Sequence, residues 1–266
     1  MPTTKMPLLF LGHGNPMNAL EENEFVQGFR AQVDFLPKPK AILCISAHWE
    51  TLGTRVTGMP HPKTIHDFGG FPKELYEVQY PAPGSPELAE SIRSNVHSLE
   101  VELDANWGLD HGTWSVLKHL YPKADVPIVQ LSLNQNLSSR GHYELAKELA
   151  FLRSRGILIV GSGNMVHHLG RVDWKKLHAC FGFDWAIEAN ERMKEFMIAG
   201  NHNALINYDL QGRAFDLAVP TAEHYLPLLY ILAMQEPDDA LTFFNDKLVG
   251  GSLSMTAVAL IEQIKP

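Results

Sequence analysis

Cysteine and long apolar runs are both scarce in this chain of 266 residues. The two cysteines are Cys44, inside the apolar run "AILCISAHW", and Cys180. They give no disulfide framework, and we expect Cys44 to be a small buried side chain. No stretch approaches the roughly 18 consecutive apolar residues of a membrane helix. The first residues also lack the longer apolar region of a secretory signal, which favours a cytoplasmic protein without a membrane partner.

Positive charge is the next deficit. The chain has 22 Lys and Arg against 30 Asp and Glu, a net charge of −8. A negative surface disfavours nucleic acid and anionic membranes as partners. Nucleophile and nucleotide motifs are missing too. There is no G-x-S-x-G elbow, and the segment "GSGN" at 161–164 has neither the length nor the lysine of a phosphate-binding loop.

Apolar runs alternate with helical patterns along the chain. The runs that predict strands are 7–12, 41–49, 54–59, 126–133, 157–164, 240–245 and 254–261. Patterns typical of helices cover 86–98, 139–155 and 184–198, and another helix starts at His111. This alternation predicts an α/β fold in which residues 1–266 form a single domain, with a mixed, mostly parallel sheet and helices on both faces. The Pro/Gly-rich span 58–86 is long enough to indicate a functional loop.

Histidine, in contrast, is abundant, with thirteen copies. His13, His48 and His167 each come at or just after the end of an apolar run, where the strands of an α/β sheet deliver side chains to a ligand crevice. His111 begins a helix, where it could simply be part of a helix cap. His224 opens an apolar helical turn, where it could be a buried residue satisfied by backbone. Five others are expected at the surface: His97, His119, His142, His178 and His202.

Several histidines at one sheet edge indicate a metal site. Neutral imidazole is the commonest metal ligand and suits zinc, iron, copper and nickel. Three protein ligands with an open position make a catalytic centre, and Gly12 and Gly14 around His13 allow close approach.

Seven segments in order resemble one family: "FLGHGNPMNALEEN", "SAHWET", "TIHDFGGFPKELYEVQYPAPGSPELA", "WGLDHGTWSVL", "GSGNMVHHL", "EHYLPLLY" and "GSLSM". They resemble the class III extradiol ring-cleavage dioxygenases, and within them the DOPA 4,5-dioxygenase-like subgroup. The resemblance implies that His13, His48 and His224 are metal ligands. It implies that His167 is the acid–base catalyst and an additional ligand at rest, and that His111 faces the substrate oxygens. The implied substrates are a catechol and O₂, cleaved beside the diol, with Fe(II) as the catalytic metal.

An all-histidine ligand set has two consequences. It suits zinc as well as iron, so Zn(II) is expected as a bound metal. Glu223 is a candidate carboxylate ligand in place of His224, although neighbours in a helix point about 100° apart and only one can face the metal. The long loop is expected to form the substrate wall, with His66, Asp67, Phe68, Phe71 and Tyr76. Two alternatives stay open, a zinc hydrolase with His167 as base and a non-catalytic binding protein on the same fold.

Overall fold

The computed structural model describes residues 5–263. Its strands are β1 (Leu8–Gly12), β2 (Ala41–Thr51), β3 (Thr54–Thr57), β4 (Lys63–Thr64), β5 (Val101–Asp104), β6 (Gly108–Leu109), β7 (Ile128–Asn134), β8 (Ile157–Gly163), β9 (Asp239–Phe244), β10 (Leu248–Val249), β11 (Leu253–Ser254) and β12 (Ala257–Glu262). Its helices are α1 (Glu24–Val33), α2 (Lys73–Tyr76), α3 (Pro86–Asn95), α4 (His111–Leu120), α5 (Ser139–Glu148), α6 (Phe151–Ser154), α7 (Asp184–Ile198), α8 (His202–Ile206), α9 (Arg213–Ala218) and α10 (Leu226–Ala233). Short 3₁₀ turns lie at Pro16–Ala19, Leu169–Arg171, Trp174–Lys176 and Tyr208–Leu210.

Eight strands form the central sheet, in the order β5-β3-β7-β2-β8-β1-β12-β9. Its middle is parallel, because β7, β2, β8 and β1 pair with one another in the same direction. At one side β12 and β9 continue the sheet antiparallel, and at the other β3 pairs antiparallel to β7 and parallel to β5. Near-continuous apolar sequence in the middle strands fits burial on both faces. The predicted mixed, mostly parallel sheet is confirmed.

The two faces of the sheet carry separate cores. In β1, Leu8 and Phe10 pack into a core with α3, α5, α7 and α10, whereas Leu9 and Leu11 pack into another with α1 and α4. This division follows from the two-residue period of a strand, which sends successive side chains to opposite faces. Helices therefore cover both faces, as predicted.

Helix boundaries follow from their caps. The Ser85 hydroxyl accepts the N–H of Leu88 at 3.2 Å, and Pro86 occupies the first helical position of α3. The Asp110 carboxylate accepts the N–H of Thr113 at 3.0 Å and so starts α4 at His111. Among residues 5–263, no helix has the length and apolarity needed to span a membrane.

Several local predictions were wrong. The pattern at 139–155 is split into α5 and α6. The long loop 58–86 is not contradicted, and it carries the short elements β4 and α2. Two histidines expected at the surface are buried: His119 is 7% exposed and His142 only 1%. His142 lies three and four residues before Leu145 and Ala146, so it shares the buried face of α5 with them.

Candidate metal centre

The carboxyl ends of β1, β2 and β8 meet at one edge of the sheet and bring three histidines together. His13 directly follows β1 and His167 comes four residues after β8. His48 does not follow its strand as predicted, because β2 continues to Thr51. The register of β2 against β7 shifts between Ile45 and Glu50, and His48 lies within this irregularity. Such bulges re-aim side chains beside functional sites.

His224 reaches the same place through its backbone. Its carbonyl accepts the N–H of Asn164 at 2.8 Å, just after the end of β8. A Cβ atom at Gly163 would lie 2.1 Å from that carbonyl oxygen, so only glycine permits this approach. The structure places His224 in a turn before α10 and not inside a helix, which corrects the helical geometry assumed from sequence.

Five histidines line one cavity of about 480 Å³: His13, His48, His111, His167 and His224. The Nε2 atoms of His13 and His48 are 3.2 Å apart. The ring of His224 lies 5.4 Å from that of His13 and 5.0 Å from that of His48, between centroids. The His167 ring stacks on His224 at 3.5 Å, and the His111 ring lies 3.8 Å from that of His48.

The orientation of His13 is set by Ser162. The Ser162 hydroxyl donates its proton to the carbonyl of Gly112 at 2.5 Å, so its oxygen is left to accept from Nδ1 of His13 at 3.0 Å. With its proton on Nδ1, the neutral His13 ring keeps a lone pair on Nε2. A hydrogen bond at the other ring nitrogen is the usual companion of a metal-binding imidazole.

Carboxylates hold two further rings. Glu223 lies 2.9 Å from Nδ1 of His224, so it supports that histidine where the sequence suggested it as a competing ligand. Asp67 accepts the backbone N–H of His111 and contacts its Nδ1, both at 2.8 Å. The same carboxylate lies 3.6 Å from Nδ1 of His48. Asp67 thus links two of the five rings.

The electrostatics favour the neutral form of three of the rings and the charged form of two carboxylates. Burial, followed by the neighbouring histidines, lowers the pKa of His13 and of His48 well below the ordinary value. Burial and His224 lower the pKa of His167 to about 3. Burial alone would raise the pKa of Glu223, but the hydrogen bond and charge of His224 bring it down to about 2. Hydrogen bonds to His111 likewise lower the pKa of Asp67, against the effect of burial.

Asp110 forms a buried support under the site. It is fully buried and accepts hydrogen bonds from the Ser46 hydroxyl and the Gln130 amide, both at 2.7 Å. Burial and the charge of Asp67 raise its pKa, partly offset by those hydrogen bonds. As the N-cap of α4, Asp110 fixes the position of His111, the first residue of that helix. The next residue, Gly112, has no room for a Cβ, which would lie 2.8 Å from Cδ2 of His48.

The donor set fits a divalent metal. Two groups of ligand atoms each lie within 4.8 Å of one another, one in His13, His48 and His111 and the other in His167, Glu223 and His224. The expected ligands His13, His48 and His224 are thus divided between the two groups. Two nitrogens bound at about 2.0–2.1 Å to one ion stand about 2.8–3.4 Å apart for angles at the ion between roughly 90° and 110°. The 3.2 Å between Nε2 of His13 and Nε2 of His48 falls in that interval. Neutral, buried imidazoles are also the form that binds metal.

Only part of the predicted substrate wall lines the cavity in the structure. Phe68 and Phe71 line the cavity. Asp67 lies behind His111, and His66 and Tyr76 pack around Phe68 outside the lining, with Nε2 of His66 3.0 Å from the Val78 carbonyl. Sequence reasoning missed the rest of the lining, which includes Asn15, Pro16, Leu169, Trp174, Leu177 and Leu253. The only sequence signal for these lining residues is Trp174, a tryptophan in an otherwise polar stretch.

Comparisons with known proteins agree with this geometry. Residues 8–253 match the family described as the catalytic LigB subunit of aromatic ring-opening dioxygenase. The chain is 44% identical to 4,5-DOPA dioxygenase extradiol of Escherichia coli (strain K12), over 98% of this chain and 96% of that protein. It is 35% identical to the Beta vulgaris protein of the same name, over 92% of each. A crystal structure of an uncharacterized protein from Escherichia coli K12 superposes with a TM-score of 0.81 at 40% identity, covering 96% of this chain and 99% of that one.

Proposed function

The chain belongs to the LigB family of aromatic ring-opening dioxygenases, and from that membership we propose that it opens the ring of a catechol with O₂, at the bond beside the diol. The observation that carries the proposal is the convergence of five histidines on one cavity, two of them with Nε2 atoms 3.2 Å apart. The relatives named for DOPA make this amino acid the first substrate to test. We also propose that residues 1–266 serve this one site as a single domain.

His13, His48 and His224 would hold the metal. A bound ion would supply Lewis acidity, which lowers the pKa of the catechol hydroxyls. It would also give the catechol and O₂ one common binding centre. Fe(II) is the proposed catalytic metal. An all-nitrogen set binds zinc more strongly than Fe(II) in the general affinity order, so we expect purified protein to carry Zn(II) unless iron is supplied.

His167 is the proposed base. The low pKa caused by its burial leaves it neutral at pH 7, ready to accept a proton from a catechol hydroxyl and to return it later. Its ring stacks on that of His224, a proposed ligand. Because imidazole lone pairs lie in the ring plane and the two rings are nearly parallel at 3.5 Å, His167 would have to rotate its side chain to serve as the additional ligand proposed before substrate arrives.

His111 is proposed to hold a substrate oxygen. The Asp67 carboxylate accepts a hydrogen bond from Nδ1 of His111 at 2.8 Å, so Nε2 of His111 remains for the substrate. When the ring takes a second proton, the charge of Asp67 stabilises the imidazolium, and Nε2–H can donate to a developing oxyanion. Phe68 and Phe71 cover the cavity with apolar surface and reduce the access of water.

The test is anaerobic reconstitution with Fe(II), addition of L-DOPA, and then admission of air. We expect stoichiometric O₂ uptake and a yellow semialdehyde. A zinc-loaded sample serves as the control and should give neither. If no catechol consumes O₂ while the zinc form hydrolyses esters or amides, the proposal is wrong.

A further inference from the structure

His48 lies where β2 loses its pairing with the neighbouring strands. Pairing with β8 ends at Ser46, and pairing with β7 is interrupted between Ile45 and Glu50. The backbone N–H of His48 therefore needs a partner outside the sheet ladder, because a backbone N–H shielded from water is costly when it is left unpaired. The Ser46 hydroxyl is that partner, and its oxygen accepts the N–H of His48 at 3.2 Å.

Asp110 sets the direction of the Ser46 hydroxyl. The hydroxyl donates its proton to Oδ1 of Asp110 at 2.7 Å, which leaves its oxygen to accept from His48. Asp110 is itself held, because Oδ1 also accepts the N–H of Thr113 at 3.0 Å and Oδ2 accepts from the Gln130 amide at 2.7 Å. Ser46, Asp110 and Gln130 are all 0% exposed. The support of His48 is thus a buried and connected network, of the kind that makes its surroundings rigid.

The adjacent strand repeats this arrangement. Ser162 of β8 lies directly opposite Ser46 in the register of the two parallel strands, so both hydroxyls project from the same face of the sheet. The Ser162 hydroxyl contacts Nδ1 of His13 and donates to the carbonyl of Gly112, in the first turn of α4. One serine therefore connects His13 to the start of α4, and the other connects His48 to it.

The space around Ser46 demands a small residue but not a hydroxyl. A Cβ atom on Gly112 would lie 2.5 Å from Oγ of Ser46 and 2.8 Å from Cδ2 of His48, so α4 packs tightly on both side chains. Alanine would fit such a position and would bury no polar atom. A buried hydroxyl is costly unless its hydrogen bonds are made, so the bonds from Ser46 to Asp110 and from His48 to Ser46 are what the serine adds.

We propose that Ser46 is a positioning residue of the metal centre, which holds the unpaired stretch of β2 so that Nε2 of His48 stays 3.2 Å from Nε2 of His13. This inference rests on the proposed function, since it takes both histidines to be metal ligands. Ser46 is outside the lining of the cavity and acts through the backbone of His48. Without the hydroxyl, the His48 ring loses its fixed distance to His13, and the metal is bound more weakly.

The test compares Ser46→Ala with Ser254→Ala as the matched control. Ser254 is also 0% exposed, and its hydroxyl likewise accepts the N–H of the residue two positions later, Thr256, at 3.2 Å and donates to the side-chain oxygen of Asn190 at 2.8 Å. Zn(II) is titrated into each metal-free protein in competition with a chelator. We expect the Kd for Zn(II) to rise roughly 10–100-fold in Ser46→Ala, the usual cost of losing a group that orients a metal ligand. Ser254→Ala should leave it unchanged.

An unchanged Kd in Ser46→Ala, or an equal rise in both variants, overturns the inference. If metal-free Ser46→Ala does not stay folded, the visible ligand-field bands of the Co(II)-loaded proteins decide. Bands altered in Ser46→Ala alone support the inference, and bands identical to those of the unaltered protein overturn it. Zinc binding requires no turnover, so an absence of O₂ uptake with every catechol overturns the proposed function, whereas the Kd for Zn(II) decides the role of Ser46.

Discussion

His13 and His142 are both buried histidines, yet their ring nitrogens meet very different surroundings. Both have a pKa lowered from the ordinary value with burial as the leading cause, to about 4 in His142. His142 lies on α5, where its Nδ1 pairs with the Tyr230 hydroxyl at 2.9 Å. The Nε2 of His13 faces the Nε2 of His48 at 3.2 Å, inside a group of five imidazoles.

Burial and a low pKa therefore do not distinguish a metal ligand from a structural histidine. The difference lies in what the second nitrogen faces. In both rings Nδ1 pairs with a hydroxyl, that of Tyr230 for His142 and that of Ser162 for His13. His142 has a further hydrogen bond with the backbone of Asn134, so the protein alone satisfies its ring. Nε2–H of a neutral His48 can donate to the Nε2 lone pair of His13, and when both rings carry their proton on Nδ1 the two lone pairs instead meet at one point where a cation can bind.

The largest expected effect comes from His13→Ala. It should lower the bound metal below detection and abolish turnover, because a ligand is lost. His142→Gln is the control. It replaces a buried histidine of α5 that does not line the cavity, and it should keep metal and turnover. Elemental analysis after gel filtration, with O₂ uptake on a catechol, measures both. Retention of a full metal equivalent by His13→Ala would mean that the His13, His48, His224 ligand set is wrong.

Next in size is His167→Ala. Loss of a positioned proton acceptor should reduce kcat by roughly 10²–10⁴-fold. Because three other histidines remain, the metal content should stay within error of that of the unaltered protein. Loss of metal in step with activity would instead assign His167 to the ligand set.

Asp67→Asn should have a smaller effect. The amide cannot carry the charge that supports His111, and loss of such a partner typically costs about 10–100-fold in activity. Asp125→Asn, which alters an exposed ion pair with Lys38, is the control and should change nothing. A pH profile of kcat should shift in Asp67→Asn only. Unchanged kcat and profile would show that His111 does not depend on this carboxylate.

The smallest effect on activity, but a distinct one on stability, belongs to His142. Between pH 6.5 and about 4 the unfolded chain binds a proton at this residue and the folded chain does not. The free energy of unfolding therefore falls as the pH falls through this window, by up to about 3 kcal/mol. In His142→Gln that contribution is missing, so the stability gap between the two proteins should narrow toward pH 4. Urea unfolding at several pH values measures it, and a constant gap would contradict the buried neutral ring.

Much of this arrangement was predictable from sequence, for physical reasons. Apolar runs such as 157–164 report strands directly, and parallel strands bring their carboxyl ends to one edge. Strand ends alone were therefore enough to group His13 and His167, whereas His48 was grouped with them on the wrong assumption that β2 ends before it. The family resemblance, confirmed by the match over residues 8–253, extended the group to His111 and His224. The roles of these side chains stay predictions until the variants above are measured.

Other features depended on packing that no local pattern encodes. Asp67 was expected on the substrate wall, and only the fold shows it behind His111. The bulge in β2 that aims His48 comes from its mismatch with β7. The cavity-lining residues Leu169 and Trp174 lie in short 3₁₀ turns without apolar periodicity, and their exposure hides them from a search for core residues.

The position of β1 also dictates an order of events during synthesis. Leu8 pairs with Ile159 and with Leu260, partners that leave the ribosome 151 and 252 residues later (159 − 8 and 260 − 8). Gly12 is packed against the backbone of Met255, so the segment that holds His13 is completed only by the last strands. Pairings this distant form late in folding. The histidine cluster is therefore not assembled in the nascent chain, and we expect metal to bind only after the protein has folded.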